Sequence, residues 1–264
     1  MSFVDKTIII TGASSGIGAA TAKQFLSIGA KVILVARNKQ RMEEIFDGYD
    51  SSKYRIYPFD LNNLDQIDTF VSEIIRKEGP IDIVFNNAGI SQFGYFEDSS
   101  LTVLEKIMKL DYFSVVAFTK AILHHMIEKK SGHIVTNSSV AGLIPSRNRT
   151  AYSSAKFALH GFFDSLRPEV ARHNIHITLI APGKVQTEIG KNALTETGDP
   201  YGKDDRGHAV GLSADAAAKK IISAIKRKKR QAIIAKWNDI AWLGLFLRKH
   251  FPWLYFELAK RIKA

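Results

Sequence analysis

A short apolar run, Thr7 to Ile10, stops at Thr11-Gly12-Ala13-Ser14-Ser15-Gly16-Ile17-Gly18. An alanine-rich stretch with helical spacing, Ala19 to Ile28, starts directly after it. Three glycines at the junction of a strand and a helix constrain this chain more than any other feature. Gly12 permits a tight turn, and Gly16 and Gly18 let backbone approach a ligand and the helix approach the strand. A helix starting there presents unpaired N–H groups and the positive end of its dipole, which suits a pyrophosphate. No Lys-Ser or Lys-Thr pair follows, which excludes a P-loop.

The same alternation continues along the chain. Strand-like runs rich in β-branched residues recur at Lys31–Ala36, Tyr54–Pro58, Ile81–Phe85, His133–Thr136 and Ile175–Ile180. Helical spacing fills the gaps, notably Leu64–Arg76, Leu101–Ile127 and Tyr152–Arg172. Short apolar strands separated by helices predict a parallel sheet covered on both faces. The expected architecture is α/β: a Rossmann-type doubly wound sheet of about seven strands, in one dinucleotide-binding catalytic domain, 1–235, followed by a helical extension, 236–264. Pro182-Gly183 ends the sixth strand, Glu188–Gly211 reads as a long lid-like loop, and Ser213 caps a further helix. With no cysteine in 264 residues, disulfides, thiolate nucleophiles and zinc–thiolate sites are excluded, and a reducing, cytoplasmic setting is expected. No metal site is expected. The strand so close to the first residue argues against a secretory leader.

Beyond the glycine loop, further motifs follow in order. Asn86-Asn87-Ala88-Gly89 closes the fourth strand, and Ser138-Ser139 closes the fifth. Tyr152 and Lys156 form Tyr-x-x-x-Lys, and Pro182-Gly183 is followed by Val185 and Thr187. With Thr11–Gly18, this ordered set resembles the short-chain dehydrogenases/reductases over about residues 4 to 190. The resemblance implies hydride transfer to or from a nicotinamide dinucleotide. It places Ser139, 13 residues before Tyr152, as the serine that holds the substrate oxygen. It also implies that Asp60 and Leu61 border the adenine and that Asn87, Ala88 and Gly89 pass along the nicotinamide ribose, which Lys156 also bonds. Val185 and Thr187 would meet the carboxamide. It further implies a homodimer or homotetramer built on the long fourth and fifth helices.

The second strand ends Ala36-Arg37-Asn38. An acidic side chain here bonds the ribose 2′-hydroxyl of NAD; Ala36 stands in its place. The Arg37 guanidinium suits a phosphate, and Arg41 lies one helical turn further on. NADP(H) is therefore the expected cofactor.

Tyr152 and Lys156, four residues apart, share one helix face. A free phenol titrates near pH 10, and a neighbouring ammonium lowers that value, fitting Tyr152 for general acid–base work. Where the family often carries Asn in the fourth helix, this chain has Asp111. It is a candidate relay residue that can pair with Lys156 and weaken the lysine's effect on Tyr152.

Pocket walls are expected from Ile90–Phe96, Leu143–Arg149 and the Glu188–Gly211 loop. Phe93, Tyr95, Phe96, Leu143 and Ile144 suit a lipophilic ketone, aldehyde or alcohol. The expected function is NADP(H)-dependent interconversion of a carbonyl and an alcohol. The alternative is a non-catalytic NADP-binding redox sensor or scaffold acting through its tail.

That tail holds the charge. Residues 1–218 carry 24 basic and 24 acidic side chains, whereas residues 219–264 carry 13 and 2, the source of the net +11. The run Lys226–Arg230 and a short strand-like piece, Ala232–Ala235, precede an aromatic-rich stretch interleaved with Arg248, Lys249, Lys260, Arg261 and Lys263, which Pro252 divides into two helices. Such a segment fits an anionic membrane surface, with peripheral association. Packing on the lid or on a second subunit is the alternative. Nucleic acid is not an expected partner, since no recognised binding module accompanies the charge.

Overall fold

The computed structural model describes residues 2–203 and 210–260. Arg261, Ile262 and Lys263 of the tail, and 204–209 of the long loop, lie outside the described residues. Seven parallel strands form one sheet: β1 (Thr7–Thr11), β2 (Lys31–Ala36), β3 (Tyr54–Pro58), β4 (Ile83–Asn86), β5 (Gly132–Asn137), β6 (Ile175–Pro182) and β9 (Gln231–Ile234). Their spatial order is β3-β2-β1-β4-β5-β6-β9. The short pair β7 (Val185–Gln186) and β8 (Leu212–Ser213) stands apart from it.

Helices cover both faces. α1 (Gly16–Ser27), α2 (Lys39–Phe46) and α7 (Ala214–Lys226) enclose a core that includes Ile8, Ile10, Phe25, Met42, Phe46 and Ile221. α3 (Ile67–Glu78), α5 (Ser114–Glu128) and α6 (Thr150–Ala171) enclose the other, around Ile9, Val84, Phe118, Ile134 and Phe163. Ile8, Ile9 and Ile10 alternate between the two cores, which is why the strand reads as a continuous apolar run. The Ser213 hydroxyl caps α7 by accepting from the Ala216 N–H at 3.2 Å.

Two of these elements differ from the sequence reading, and the tail follows it. The fourth strand begins at Ile83, because Asp82 turns to the ammoniums of Lys6 and Lys129. The segment Leu101–Ile127 is not one α-helix: α4 (Leu101–Met108) passes into a π-helical turn, Lys109–Phe113, before α5. Asp111 occupies that turn. The tail forms α8 (Ile240–His250) and α9 (Pro252–Ala259), broken at Pro252 as the proline predicts.

Candidate active site

The strand order reverses direction between β1 and β4, and such a switch point opens a crevice beyond the carboxyl ends of the strands. The glycine loop lies there. Gly12 and Gly16 adopt φ of +67° and +51°, which L side chains rarely adopt. At Gly18 a Cβ would stand 2.2 Å from the Gly12 carbonyl oxygen and 2.5 Å from Asn87 Nδ2. Ser15 precedes α1 in an extended conformation without a side-chain cap bond, and the first turn carries no acid. The leading N–H groups of α1 are thus left for an anion. Bare loop backbone over an uncapped helix start fits a dinucleotide pyrophosphate, with Ser14, Ser15 and Ile17 supplying the loop itself.

Hydrogen bonds tie this loop to the next motifs. The Thr11 hydroxyl accepts from the N–H groups of Asn87 and Ala88, at 2.9 and 3.1 Å. The Asn87 amide donates to the Thr11 carbonyl at 3.0 Å and accepts from Asn137 Nδ2 at 3.0 Å. The Asn137 carbonyl in turn accepts from Lys156 Nζ at 3.4 Å. A continuous line of contacts thus runs from the glycine loop to α6. Asn137 escaped the sequence reading; its only signal was its place directly before Ser138-Ser139.

On α6, Tyr152 and Lys156 are 6% and 3% exposed, with Lys156 Nζ 5.5 Å from the centre of the Tyr152 ring. The Ser138 hydroxyl donates to the Lys156 carbonyl at 3.1 Å and is buried. Half-buried Ser139 caps a short 3-10 turn, its oxygen accepting from the Ala141 N–H at 3.1 Å. Its O–H remains available as a donor. Asp111 is fully buried, with Oδ2 2.9 Å from Lys156 Nζ. Burial raises the Asp111 carboxyl above the ordinary range, against the pull of Lys156. Burial also works to lower the Lys156 ammonium, but Asp111 and Tyr152 outweigh it and hold it above the usual lysine value.

The adenosine end is more open. Arg37 and Asn38 are exposed beyond β2. Asn38 Oδ1 caps α2 through the Arg41 N–H at 2.9 Å. Arg41 pairs with Glu188 at 2.6 Å across a cavity of about 470 Å³ that also touches Gly16, Lys23 and Thr187. This cavity lies on the loop side of the crevice, and none of Ser139, Tyr152 or Lys156 lines it. Glu188, 147 residues from Arg41, had no sequence signal beyond opening the long loop. Asp60 holds an Asx turn through the Asn62 N–H and amide, and Leu61 is buried. Val185 is buried and pairs with Leu212, while the Thr187 methyl stands against Gly16. Pro182 is buried at the end of β6, and a Cβ on Gly183 would meet Asp239 Oδ2 at 3.1 Å.

The three wall segments meet. Phe93 N–H donates to the Leu194 carbonyl at 2.8 Å, Gly94 N–H to that of Asn148 at 3.0 Å, and the Phe93 and Tyr201 rings lie 4.9 Å apart. Arg149 covers the Phe93 ring at 4.1 Å and Arg147 the Tyr95 ring at 5.2 Å. Tyr95 and Phe96 themselves are exposed, so of the expected apolar lining Phe93, Leu143 and Ile144 are the partly buried members. The tail joins this wall: the Tyr255 hydroxyl donates to the Pro145 carbonyl at 2.5 Å, and Gly244 abuts Ile144.

The strand-like piece expected after the basic run is β9, and it separates that run from the apolar helices. Lys226–Arg230 precedes β9, and its carbonyls at Lys229 and Arg230 bond Thr178 and Arg167. The apolar helices follow the opposite end of β9. The basic run and the apolar stretch are therefore not one amphipathic surface.

Fold and crevice define a Rossmann-type α/β protein with a strand-end site for a dinucleotide. The short chain dehydrogenase family model matches residues 6–198. Dehydrogenase/reductase SDR family member 7B of Danio rerio is 36% identical, covering 96% of this chain and 84% of the relative. An SDR family protein 7-like relative of Anopheles gambiae is 40% identical, with coverages of 97% and 82%. A short-chain dehydrogenase structure from Streptomyces avermitilis superposes with a TM-score of 0.80 at 25% identity, over 97% of this chain and 96% of that one. A Burkholderia phymatum short chain dehydrogenase/reductase, solved in complex with NAD, gives a TM-score of 0.84 at 20% identity, over 96% of each chain. The chain belongs to the short-chain dehydrogenase family, a family of oxidoreductases.

Proposed function

We propose that this protein is an NADP(H)-dependent oxidoreductase that interconverts a carbonyl and an alcohol on a lipophilic substrate. The observation that carries the reading is Tyr152 and Lys156, buried together on α6 and linked through Asn137 and Asn87 to the glycine loop. The loop from Gly12 to Gly18 would hold the pyrophosphate, and exposed Arg37 a ribose phosphate. The nicotinamide, when bound, supplies or accepts hydride. Ser139 donates a hydrogen bond to the substrate oxygen and so stabilises charge developing there. Tyr152 gives that oxygen a proton in reduction and takes one in oxidation. Lys156 orients the nucleotide ribose beside Tyr152. The partly buried Phe93, Leu143 and Ile144 support an apolar substrate. A binding-only sensor is the weaker reading, because side chains suited to proton transfer stand together.

Assay with NADPH and a panel of hydrophobic ketones and aldehydes tests this reading. Turnover of a panel member that disappears in Tyr152→Phe supports it. Turnover that survives Tyr152→Phe contradicts it.

We also infer that α8 and α9 rest on an anionic membrane surface. No helix among the described residues is long and apolar enough to cross a bilayer. Trp242, Leu243, Phe246, Trp253 and Phe256 are exposed on these helices, with Arg248, Lys249 and Lys260 among them. Apolar burial plus basic charge is what such a surface needs. Co-sedimentation with phosphatidylserine vesicles tests it. Loss of binding on Trp253→Ser supports the surface, and absence of binding by the unaltered protein removes it.

A further inference from the structure

The π-helical turn between α4 and α5 carries Asp111 into the catalytic cleft, and the mechanism above makes no use of its carboxyl. A single π turn within an α-helix frequently marks a functional position. Here it supplies a carboxyl group with no solvent access. Oδ1 accepts from the Ile90 N–H at 2.8 Å, and Oδ2 lies 2.9 Å from Lys156 Nζ. The loop after β4 fits tightly over it: a Cβ on Gly89 would stand 2.9 Å from Oδ2. The titratable groups facing the pair are few. On α6 they are Lys156 itself and Tyr152. The loop after β4 contributes the uncharged Ile90 N–H, and β5 the uncharged Asn137 carbonyl. Lys109, in the same turn, is exposed, and His160, one turn further along α6, feels Asp164 instead.

Wherever the shared proton resides, a buried carboxyl and amine at this distance form a net-neutral pair. An ammonium bound to a carboxylate and an amine bound to a carboxylic acid both sum to zero. A lone cation within about 4–6 Å favours an ionised phenol, lowering its titration by about 1–3 units, and a neutral pair lacks most of that effect.

We propose that Asp111 is a positioning residue that cancels the charge of Lys156, keeps Tyr152 a proton donor at neutral pH, and thereby biases the enzyme toward carbonyl reduction. This rests on the roles given above to Tyr152 and Lys156. In reduction the carbonyl carbon gains hydride from the reduced nicotinamide, and the carbonyl oxygen gains the Tyr152 proton. The resulting tyrosinate recovers a proton from solvent. Alcohol oxidation needs the tyrosinate at the outset, so it requires a more alkaline solution.

The first test needs neither cofactor nor substrate. Ultraviolet phenolate absorbance is titrated with pH in the full chain and in its Tyr152→Phe variant, and the difference isolates Tyr152. The same difference is then measured with Asp111→Asn in both. The midpoint is expected about one pH unit lower in the Asp111→Asn background. An unchanged midpoint overturns the proposal. Where Asp111→Asn fails to fold, Asp111→Ser is titrated under the same criterion. The second test follows an active alcohol from pH 6 to 10. The rising limb of oxidation should move down by about one unit in Asp111→Asn, giving roughly tenfold faster oxidation at pH 7. A uniform loss of activity with unmoved limbs would reveal a purely structural Asp111. Activity that persists in Tyr152→Phe would instead refute the assignment of Tyr152, a distinct outcome.

Discussion

Tyr152 and Lys156 are 6% and 3% exposed, whereas Trp237 and Trp253 are 90% and 68% exposed. These pairs mark two regions built on different rules. In the cleft, Thr11 and Ser138 are buried and hydrogen-bonded, and half-buried Asn87 and Asn137 bond each other. In the C-terminal helices, apolar groups face outward. Nine of the 18 exposed large hydrophobics among the described residues fall between Trp237 and Leu258. A buried, bonded polar set is what chemistry on a small molecule requires. An exposed apolar set over a short segment is what a partner surface requires. Tyr255 joins the two, since its hydroxyl holds the wall residue Pro145 from the tail side.

The largest effect is expected at Tyr152. Tyr152→Phe should lower turnover by about 10²–10⁴-fold, leaving nucleotide affinity within about twofold. A matching loss of nucleotide affinity would show that the cleft had collapsed and that no proton-transfer role had been isolated.

The next largest effect belongs to the tail. Replacing Trp242, Phe246 and Trp253 together by serine should weaken vesicle binding by at least about a hundredfold, since each buried aromatic contributes roughly 1.5–3 kcal/mol. Reductase activity on a water-soluble carbonyl should persist. Equal vesicle binding would assign the exposed rings to another surface.

The body should also show a pH dependence of its own. Burial, with help from His176 and Lys228, lowers His133 to about 3. The folded state therefore holds fewer protons than the unfolded one between about pH 6.5 and 3. Stability from neutral His133 is present above pH 6.5 and falls on acidification through that window, by roughly 1 kcal/mol per pH unit. The Tm should drop on moving from pH 7 to 5, and His133→Gln should flatten that slope. An equal slope in the variant would place the acid sensitivity elsewhere. The smallest effect is Tyr255→Phe, which removes one hydrogen bond to the Pro145 carbonyl. It should cost about 1 kcal/mol, seen as a small Tm loss.

Much of the cleft was legible because a parallel sheet converts chain order into position. Apart from Tyr152 and Lys156, which lie on α6, each motif follows the carboxyl end of a strand, and those ends share one edge. Gly12 follows β1, Arg37 β2, Asn87 β4, Ser139 β5 and Gly183 β6. The π turn was hidden, because Val103, Ile107, Leu110 and Phe113 keep helical spacing into and through it. The Arg41–Glu188 pair was hidden for another reason: it joins segments far apart in the chain. The tail was half legible. Its helices and the Pro252 break follow from composition and backbone chemistry. Its separation from Lys226–Arg230 follows from the strand-like Ala232–Ala235, whereas its contact with the wall at Pro145 does not, because that joins segments far apart in the chain.

The most direct measurement is a fluorescence titration of the protein and of Arg37→Ala with NADPH and with NADH. The unaltered protein should bind NADPH at least about tenfold more tightly than NADH, and Arg37→Ala should remove most of this difference, since one charge-assisted contact contributes roughly 1.5–3 kcal/mol. Binding of neither nucleotide, or a preference for NADH, would contradict NADP(H) as the cofactor.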